Sequence, residues 1–286
     1  MKKFDKRIPE EYRKPAHHSG TIEKIEYMSK RRAEDGGDIV KPAIVYLPYG
    51  FDKNAGKEYK VLYLMHGGGG NEEEFLFGQD KSKAFLYTID HMIENGELDP
   101  FIIVAPTFYY RHQQAEDHQT GIAGELVATF PEEFRNELVP YIESHYPVIK
   151  DRDHRLFSGF SMGAVTTWHI FTHCADLVRY YIPFSGDSWI LKEKGCHTKA
   201  VESVAKMAEV RNENKTDKYP YSIFAFTGDQ DIAFPGLDAQ MKEMINGGWD
   251  KGDNELRYES WAEGVHCYDP WIYHYAYNVF PEFLKG

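Results

Sequence analysis

The 286-residue sequence has three cysteines, Cys174, Cys196 and Cys267, too few and too scattered for a disulfide framework or a thiolate zinc site. No apolar run approaches the roughly 20 residues that a membrane-spanning helix needs. Positive charge is also in short supply. Lys and Arg total 33 against 45 Asp and Glu, and the formal net charge of −12 argues against nucleic acid or an anionic membrane as partner. No glycine-rich turn closing on Gly-Lys-Ser or Gly-Lys-Thr is present, which excludes a phosphate-cradling P-loop. The basic opening Met1–Arg7 is not followed by the apolar stretch of a secretory signal. Two expectations therefore stand for localisation, an intracellular protein or an exported domain without its leader. Internal repeats, low-complexity segments and linkers long enough to divide domains are missing too.

What the chain does have is an alternation of buried-strand and helix patterns. Ile22 to Met28 and Ile39 to Leu47, with Gly36-Gly37-Asp38 between them, read as an antiparallel hairpin. Val61–Met65, Phe101–Ala105, Tyr180–Phe184 and Ser222–Thr227 are continuous apolar runs, as expected of strands covered on both faces. Leu256–Trp261 reads as a last strand. Helical spacing marks 83–94, 131–145, 165–171, a stretch around 201–208 and 235–246, and apolar positions 271, 275, 279 and 280 close the chain as a helix. Pro140 should kink the 131–145 helix or cost it a hydrogen bond. The polar and aromatic loop from Thr107 to about Gly124 is too long for a simple connection, and 211–218 reads as a charged loop. Strands alternating with helices imply a mostly parallel sheet covered on both faces. The expected organisation is an N-terminal arm over 1–20 and one α/β domain over 21–286.

The chemistry gathers at the carboxyl ends of the strands, where ligands of such sheets bind. Gly159-Phe160-Ser161-Met162-Gly163 lies between a strand and a helix. A sharp turn there leaves no room for Cβ atoms two residues either side of the serine, and it exposes Oγ beside the next backbone N–H. A serine hydroxyl needs a base to take its proton, and the base needs an acid to hold its tautomer. His266, in the turn after the last strand, is the candidate base, and Asp229 or Asp231, after the preceding strand, the candidate acid. Spacing does not choose between the two aspartates. The run His66-Gly67-Gly68-Gly69-Gly70 offers unobstructed backbone N–H groups, so Gly68 and Met162 are the candidate oxyanion donors. His66 is expected to hydrogen-bond within its loop. His169 and His173, spaced four apart on a helix, lack a third ligand nearby and read as a helix face rather than a metal pair. Aromatic residues make up 15% of the chain, more than an ordinary core requires, which suits a site that stacks on flat rings or sugars.

Val45–Gly50, Tyr63–Gly69, Gly96-Glu97-Leu98, Gly159–Gly163, Thr166-Thr167-Trp168, Ser185-Gly186-Asp187 and Asp231-Ile232-Ala233 occur in an order and spacing that resembles the feruloyl esterases of carbohydrate esterase family one. The resemblance runs from about residue 8 to the C-terminus. It implies an α/β-hydrolase fold and a cofactor-free, metal-free mechanism with Ser161 as nucleophile, His266 as base and Asp231, the aspartate directly before Ile-Ala, as acid. It implies as substrates feruloylated or acetylated xylan and its oligosaccharides. Trp189 matches an aromatic position near the acyl pocket, and Asp187, Tyr109 and Phe234 (with Tyr110) are the further candidate substrate contacts. Ala164 stands where a glycine is common, and the 107–124 loop is this chain's own. The competing expectations are an acetyl xylan or dual esterase, an acyltransferase, and an inactive carbohydrate-binding scaffold.

Overall fold

The computed structural model describes residues 8–77, 84–110, 122–191, 198–267 and 271–285. Most of the 107–124 loop, and Cys196, lie outside the described residues. Eight strands form one sheet in the order β1-β2-β4-β3-β5-β6-β7-β8. These are β1 (Thr21–Lys30), β2 (Asp38–Leu47), β3 (Val61–Met65), β4 (Ile102–Pro106), β5 (Arg155–Phe160), β6 (Tyr180–Phe184), β7 (Ser222–Gly228) and β8 (Glu255–Trp261). The first two pair as the expected hairpin, from Thr21 opposite Leu47 to Lys30 opposite Asp38, and β2 pairs antiparallel with β4. Every later pairing is parallel.

The apolar runs become strands buried on both faces because their alternate residues feed two separate cores. Val61, Tyr63 and Met65 pack on one side, and Leu62 and Leu64 on the other. The helices are α1 (Glu74–Phe77), α2 (Ala84–Glu94), α3 (Ala123–Glu133), α4 (Val139–His145), α5 (Met162–His173), α6 (Ala200–Glu213), α7 (Phe234–Asn246) and α8 (Trp271–Leu284). Val127, Trp168 and Met241 bring α3, α5 and α7 to the first core, whereas Ile89 and Phe280 bring α2 and α8 to the second. Ahead of β1, Tyr12 is buried against α2, its ring stacked on His91 at 4.7 Å. No helix among the described residues is long and apolar enough to cross a membrane.

Two of the boundaries that differ from the sequence reading have clear tertiary causes. Helix begins at Ala123 rather than near 131, because Leu126, Val127 and Phe130 bury their side chains in the first core and extend toward the N-terminus the stripe of Phe134, Leu138 and Ile142. Pro140 is accommodated without breaking the run. A wide π-type turn over Phe134–Leu138, in which Val139 N–H reaches the Phe134 carbonyl, places the proline in the first turn of α4. At the other boundary, α6 runs on to Glu213, past the expected loop start at 211. Arg211 is buried, its guanidinium 4.3 Å from the centre of the Phe171 ring and donating to the Thr216 carbonyl.

One buried ion pair ties the hairpin to α3. Lys41 on β2 is 1% exposed and sits 2.8 Å from the Glu133 carboxylate, which also accepts from the Tyr27 hydroxyl. The ammonium lies 5.6 Å from both the Tyr110 and Phe130 ring centres. Burial pushes the Lys41 pKa down and the Tyr27 pKa well up. Removing only the cation strands a carboxylate in the core. Lys41→Met should therefore destabilise the protein by about 3–5 kcal/mol in urea unfolding, while Lys41→Met with Glu133→Leu should recover most of the loss. Equal stability of wild type and the single variant would show that the pair contributes nothing.

Candidate active site

The strand order reverses at β3. The chain leaves β3 for β4 on one side and returns to β5 on the other, which opens a crevice at the carboxyl ends of β3 and β5. The His66–Gly70 run leaves β3 at this crevice, and Ser161 leaves β5.

Ser161 has φ 55° and ψ −117°, in the left-handed half of the map that side chains with a Cβ disfavour. The surrounding backbone over-determines it. Its N–H donates to the Phe184 carbonyl at 3.0 Å, and its carbonyl accepts the Val165 N–H at 3.1 Å as the first bond of α5. A Cβ on Gly159 would lie 2.4 Å from the Gly163 carbonyl group, and one on Gly163 2.2 Å from the Met65 carbonyl oxygen. The spacing of the pentapeptide is thus a packing requirement. Met162 opens α5, so its N–H belongs to the helix end that has no internal acceptor and carries the positive pole of the helix dipole.

Asp231 and His266 arrive through a second close approach. A Cβ on Gly228 would fall 2.2 Å from the Gly264 carbonyl oxygen, so the turn after β8 lies directly on the turn after β7. Asp229 and Gln230 N–H donate to the carbonyls of Trp261 and Gly264 at 2.8 and 2.9 Å. The result is an unbroken line: His266 Nδ1 is 2.7 Å from Asp231 Oδ1, and Nε2 is 2.9 Å from Ser161 Oγ. Asp231 can only accept, so Nδ1–H donates to it and Nε2 is left to accept from the serine. The two aspartates that spacing left open stand in different places. Asp231 is 4% exposed and faces the imidazole, whereas Asp229 is exposed and accepts from Glu263 N–H at 2.7 Å, where Glu263 holds φ 62°. Nothing in the sequence pointed to that link, because the two residues are 34 positions apart.

The glycine loop is held from behind. Gly67 O can only accept, so His66 Nδ1–H donates to it at 2.7 Å, and Nε2 accepts from the Thr107 hydroxyl at 2.7 Å. His66 thus reaches across to the end of β4 as well as bonding within its loop. Tyr109 is 2% exposed, its ring 5.5 Å from that of His66, and its hydroxyl accepts the Gly69 N–H at 3.2 Å. It lies behind the loop as a buttress. Gly68 is exposed, beside Gly69 with φ 81°.

After β6, Gly186 approaches the serine turn so closely that a Cβ would lie 2.5 Å from the Ser161 carbonyl oxygen. Its own carbonyl accepts from Trp168 Nε1, and the Ser188 N–H donates to Gln240, which fixes the segment carrying buried Asp187 and half-buried Trp189 (φ 44°). Phe234 is half-buried at the start of α7. Ile232 and Val265 flank the acid and the base and are 81% and 52% exposed, an apolar rim that the sequence reading did not single out. His169 is buried on α5 with its pKa pushed down to about 3 by burial, in keeping with a helix-face residue. No cluster of His, Cys, Asp and Glu among the described residues is arranged to hold a metal ion.

A mostly parallel sheet with its crevice at the β3/β5 reversal defines an α/β-hydrolase. The model of the family described as "Putative esterase" matches residues 41–272, and the chain belongs to that family. It is 33% identical over 293 aligned residues to endo-1,4-beta-xylanase Y of Acetivibrio thermocellus, covering 96% of this chain and 24% of that protein. It is 31% identical over 186 residues to an endo-1,4-beta-xylanase/feruloyl esterase of Xylanibacter ruminicola, covering 64% of this chain and 24% of the other. The chain thus spans about a quarter of the length of these curated relatives. Among solved structures, the feruloyl esterase module from Clostridium thermocellum, a serine-to-alanine mutant complexed with sinapinate, has a TM-score of 0.77 at 32% identity, over 98% of this chain and 93% of that one. A ferulic acid esterase from the anaerobic fungus Anaeromyces mucronatus shares the fold, with a TM-score of 0.69 at 19% identity over 97% and 95% of the two chains. The resemblance to feruloyl esterases seen in the motifs therefore extends along the whole chain.

The buried histidine of the glycine loop has a measurable consequence. Burial pushes the His66 pKa from 6.5 down to about 3. Between those values the unfolded chain binds a proton that the folded one refuses, so the stability due to neutral His66 is complete above about pH 6.5 and is lost as pH falls toward 3. His66→Gln keeps a donor and an acceptor without the titration. Its unfolding free energy, from urea melts at a series of pH values, should fall less steeply across that window, by up to about 1.4 kcal/mol per pH unit. Parallel curves for the two proteins would refute the buried neutral imidazole.

Proposed function

We propose that this chain is a serine esterase that releases hydroxycinnamoyl groups, ferulate foremost, from the arabinoxylan of plant cell walls. The observation that carries the reading is the line Asp231–His266–Ser161, at 2.7 and 2.9 Å, ending on a serine held at the N-terminus of α5. His266 Nε2 takes the Ser161 proton as Oγ attacks the ester carbonyl, and Asp231 stabilises the imidazolium. The N–H groups of Met162 and Gly68 receive the oxyanion. The sugar alcohol then departs with the proton from His266, and water, activated by the same imidazole, cleaves the acyl-enzyme.

The aromatic acyl group calls for flat apolar contacts. Trp189, Phe234 and the rim of Ile232 and Val265 supply them around the serine, with Asp187 beneath Trp189 as a further contact. Tyr109 acts through the glycine loop it supports. The choice of ester follows the relatives, two of which carry feruloyl esterase in their names and one of which holds sinapinate.

Rates on methyl ferulate test the assignment. Ser161→Ala and Asp231→Asn should each lower kcat/KM by about 10⁴-fold or more, with folding retained. Asp229→Asn, outside the line, should cost about tenfold or less, since only the placing of the Glu263 turn is affected. Turnover by Ser161→Ala near the wild-type rate would sink the mechanism. Acetylated xylan hydrolysed much faster than methyl ferulate would replace the acyl group while leaving the mechanism in place.

A further inference from the structure

A cavity of about 650 Å³ opens toward the β1–β2 edge, across β3 from β5, the strand that Ser161 follows. That volume is within the range of about 300–1,000 Å³ usual for small-molecule sites. Its floor is the hairpin face on which Glu26 of β1 stands opposite Pro42 of β2, with Val40 and Lys24 beside them. One wall is Asn71–Glu73, the direct continuation of the Gly67–Gly70 run. The other is Thr107, Tyr109 and Tyr110, on the continuation of β4. Tyr109 lines the cavity and accepts from Gly69 N–H, which ties the cavity wall to the glycine loop. At the outer edge, Val40 is 51% exposed and faces its cross-strand partner Met28, 57% exposed, which extends the apolar floor into solvent.

The lining mixes two chemistries at short range. Asn71, Glu26, Glu73 and Lys24 present amide, carboxylate and ammonium groups. Pro42 and the exposed Val40 present apolar faces, backed by the buried Tyr109 and Tyr110. A sugar ring needs both, hydrogen-bond partners for its hydroxyls and an apolar surface for its C–H face. The carboxylates of Glu26, Glu72 and Glu73 against one ammonium disfavour anionic ligands such as phosphates or uronates. We propose that this cavity is a leaving-group subsite that binds neutral pentose units of the xylan backbone flanking the esterified residue. The proposal rests on the esterase reading above and adds to it where the polysaccharide lies, across the glycine loop toward the β1–β2 edge.

Two substrates that share the acyl group separate the subsite from the reaction centre. Methyl ferulate lacks the sugar, whereas a feruloylated arabinoxylo-oligosaccharide carries it. Val40→Trp fills the cavity mouth from an exposed strand position, and Glu26→Ala removes a floor carboxylate with little risk to folding. Each should raise KM for the oligosaccharide about five- to tenfold with kcat unchanged, the loss of one or two polar or stacking contacts. Methyl ferulate kinetics should stay within about twofold. Calorimetric titration of the wild type with unesterified xylopentaose should show binding, and Val40→Trp should weaken it by a similar factor. Failure of xylopentaose to bind the wild type overturns the subsite, as does an unchanged KM in both variants. An equal loss on both substrates also overturns it, because the cavity would then act only by shaping the glycine loop. If the wild type ignores methyl ferulate, the acyl-group reading falls on its own, and the xylopentaose titration still decides the subsite.

Discussion

The turn at Ser161 depends on backbone approaches that no side chain could survive. Gly159 meets Gly163, Gly163 meets the carbonyl of Met65, and Gly186 meets the carbonyl of Ser161. These contacts bring the chain leaving β3, β5 and β6 into direct backbone contact. A strained residue there costs on the order of 1–3 kcal/mol, which the buried strands on either side are well able to offset. What the strain secures is a serine oxygen that stands clear of the backbone at the head of α5, where the helix dipole favours developing negative charge. The glycine loop, the Asp187–Trp189 segment and the crevice between them are all positioned relative to that turn.

A second glycine contact, Gly228 on Gly264, does for the acid and the base what the first does for the nucleophile. It presses two turns from neighbouring strands together and leaves them cross-linked by backbone hydrogen bonds. Asp229 and Asp231 then divide the labour. One holds the turn through Glu263 N–H, and the other holds the imidazole through Nδ1. Two histidines make the same point about environment. His66 is sealed behind the loop and stays neutral by burial, while His266 keeps contact with solvent and sits between a carboxylate and a hydroxyl. One side chain type thus buttresses a loop in one place and bridges a carboxylate and a hydroxyl in the other.

Much of this is legible in the amino-acid pattern. The run Val61–Met65 is apolar throughout because both of its faces meet a core, and the hairpin is legible from Gly36-Gly37-Asp38 between two strand-like runs. The pentapeptide's glycines stand at close backbone approaches, and Ser161, His266 and Asp231 stand in one hydrogen-bonded line. The misjudged boundaries had tertiary causes. Helix α3 starts early because Val127 and Phe130 find a core, and α6 ends late because Arg211 finds the Phe171 ring. Local propensity carries no record of either partner.

By itself, the sequence determined which stretches form the strands and most of the helices and that the sheet is mostly parallel, and it singled out Ser161 and His266 as candidates, since these follow from patterning and from steric rules that act over a few residues. Only the tertiary structure decided by contact that Asp231 rather than Asp229 faces His266, that Tyr109 stands behind the glycine loop, and that a cavity opens toward the β1–β2 edge. Those outcomes depend on pairs far apart along the chain, such as Glu263 with Asp229, Gly69 with Tyr109 and Lys24 with Glu73. The strand order brings them together, and no local pattern in the chain encodes which side chain will be waiting.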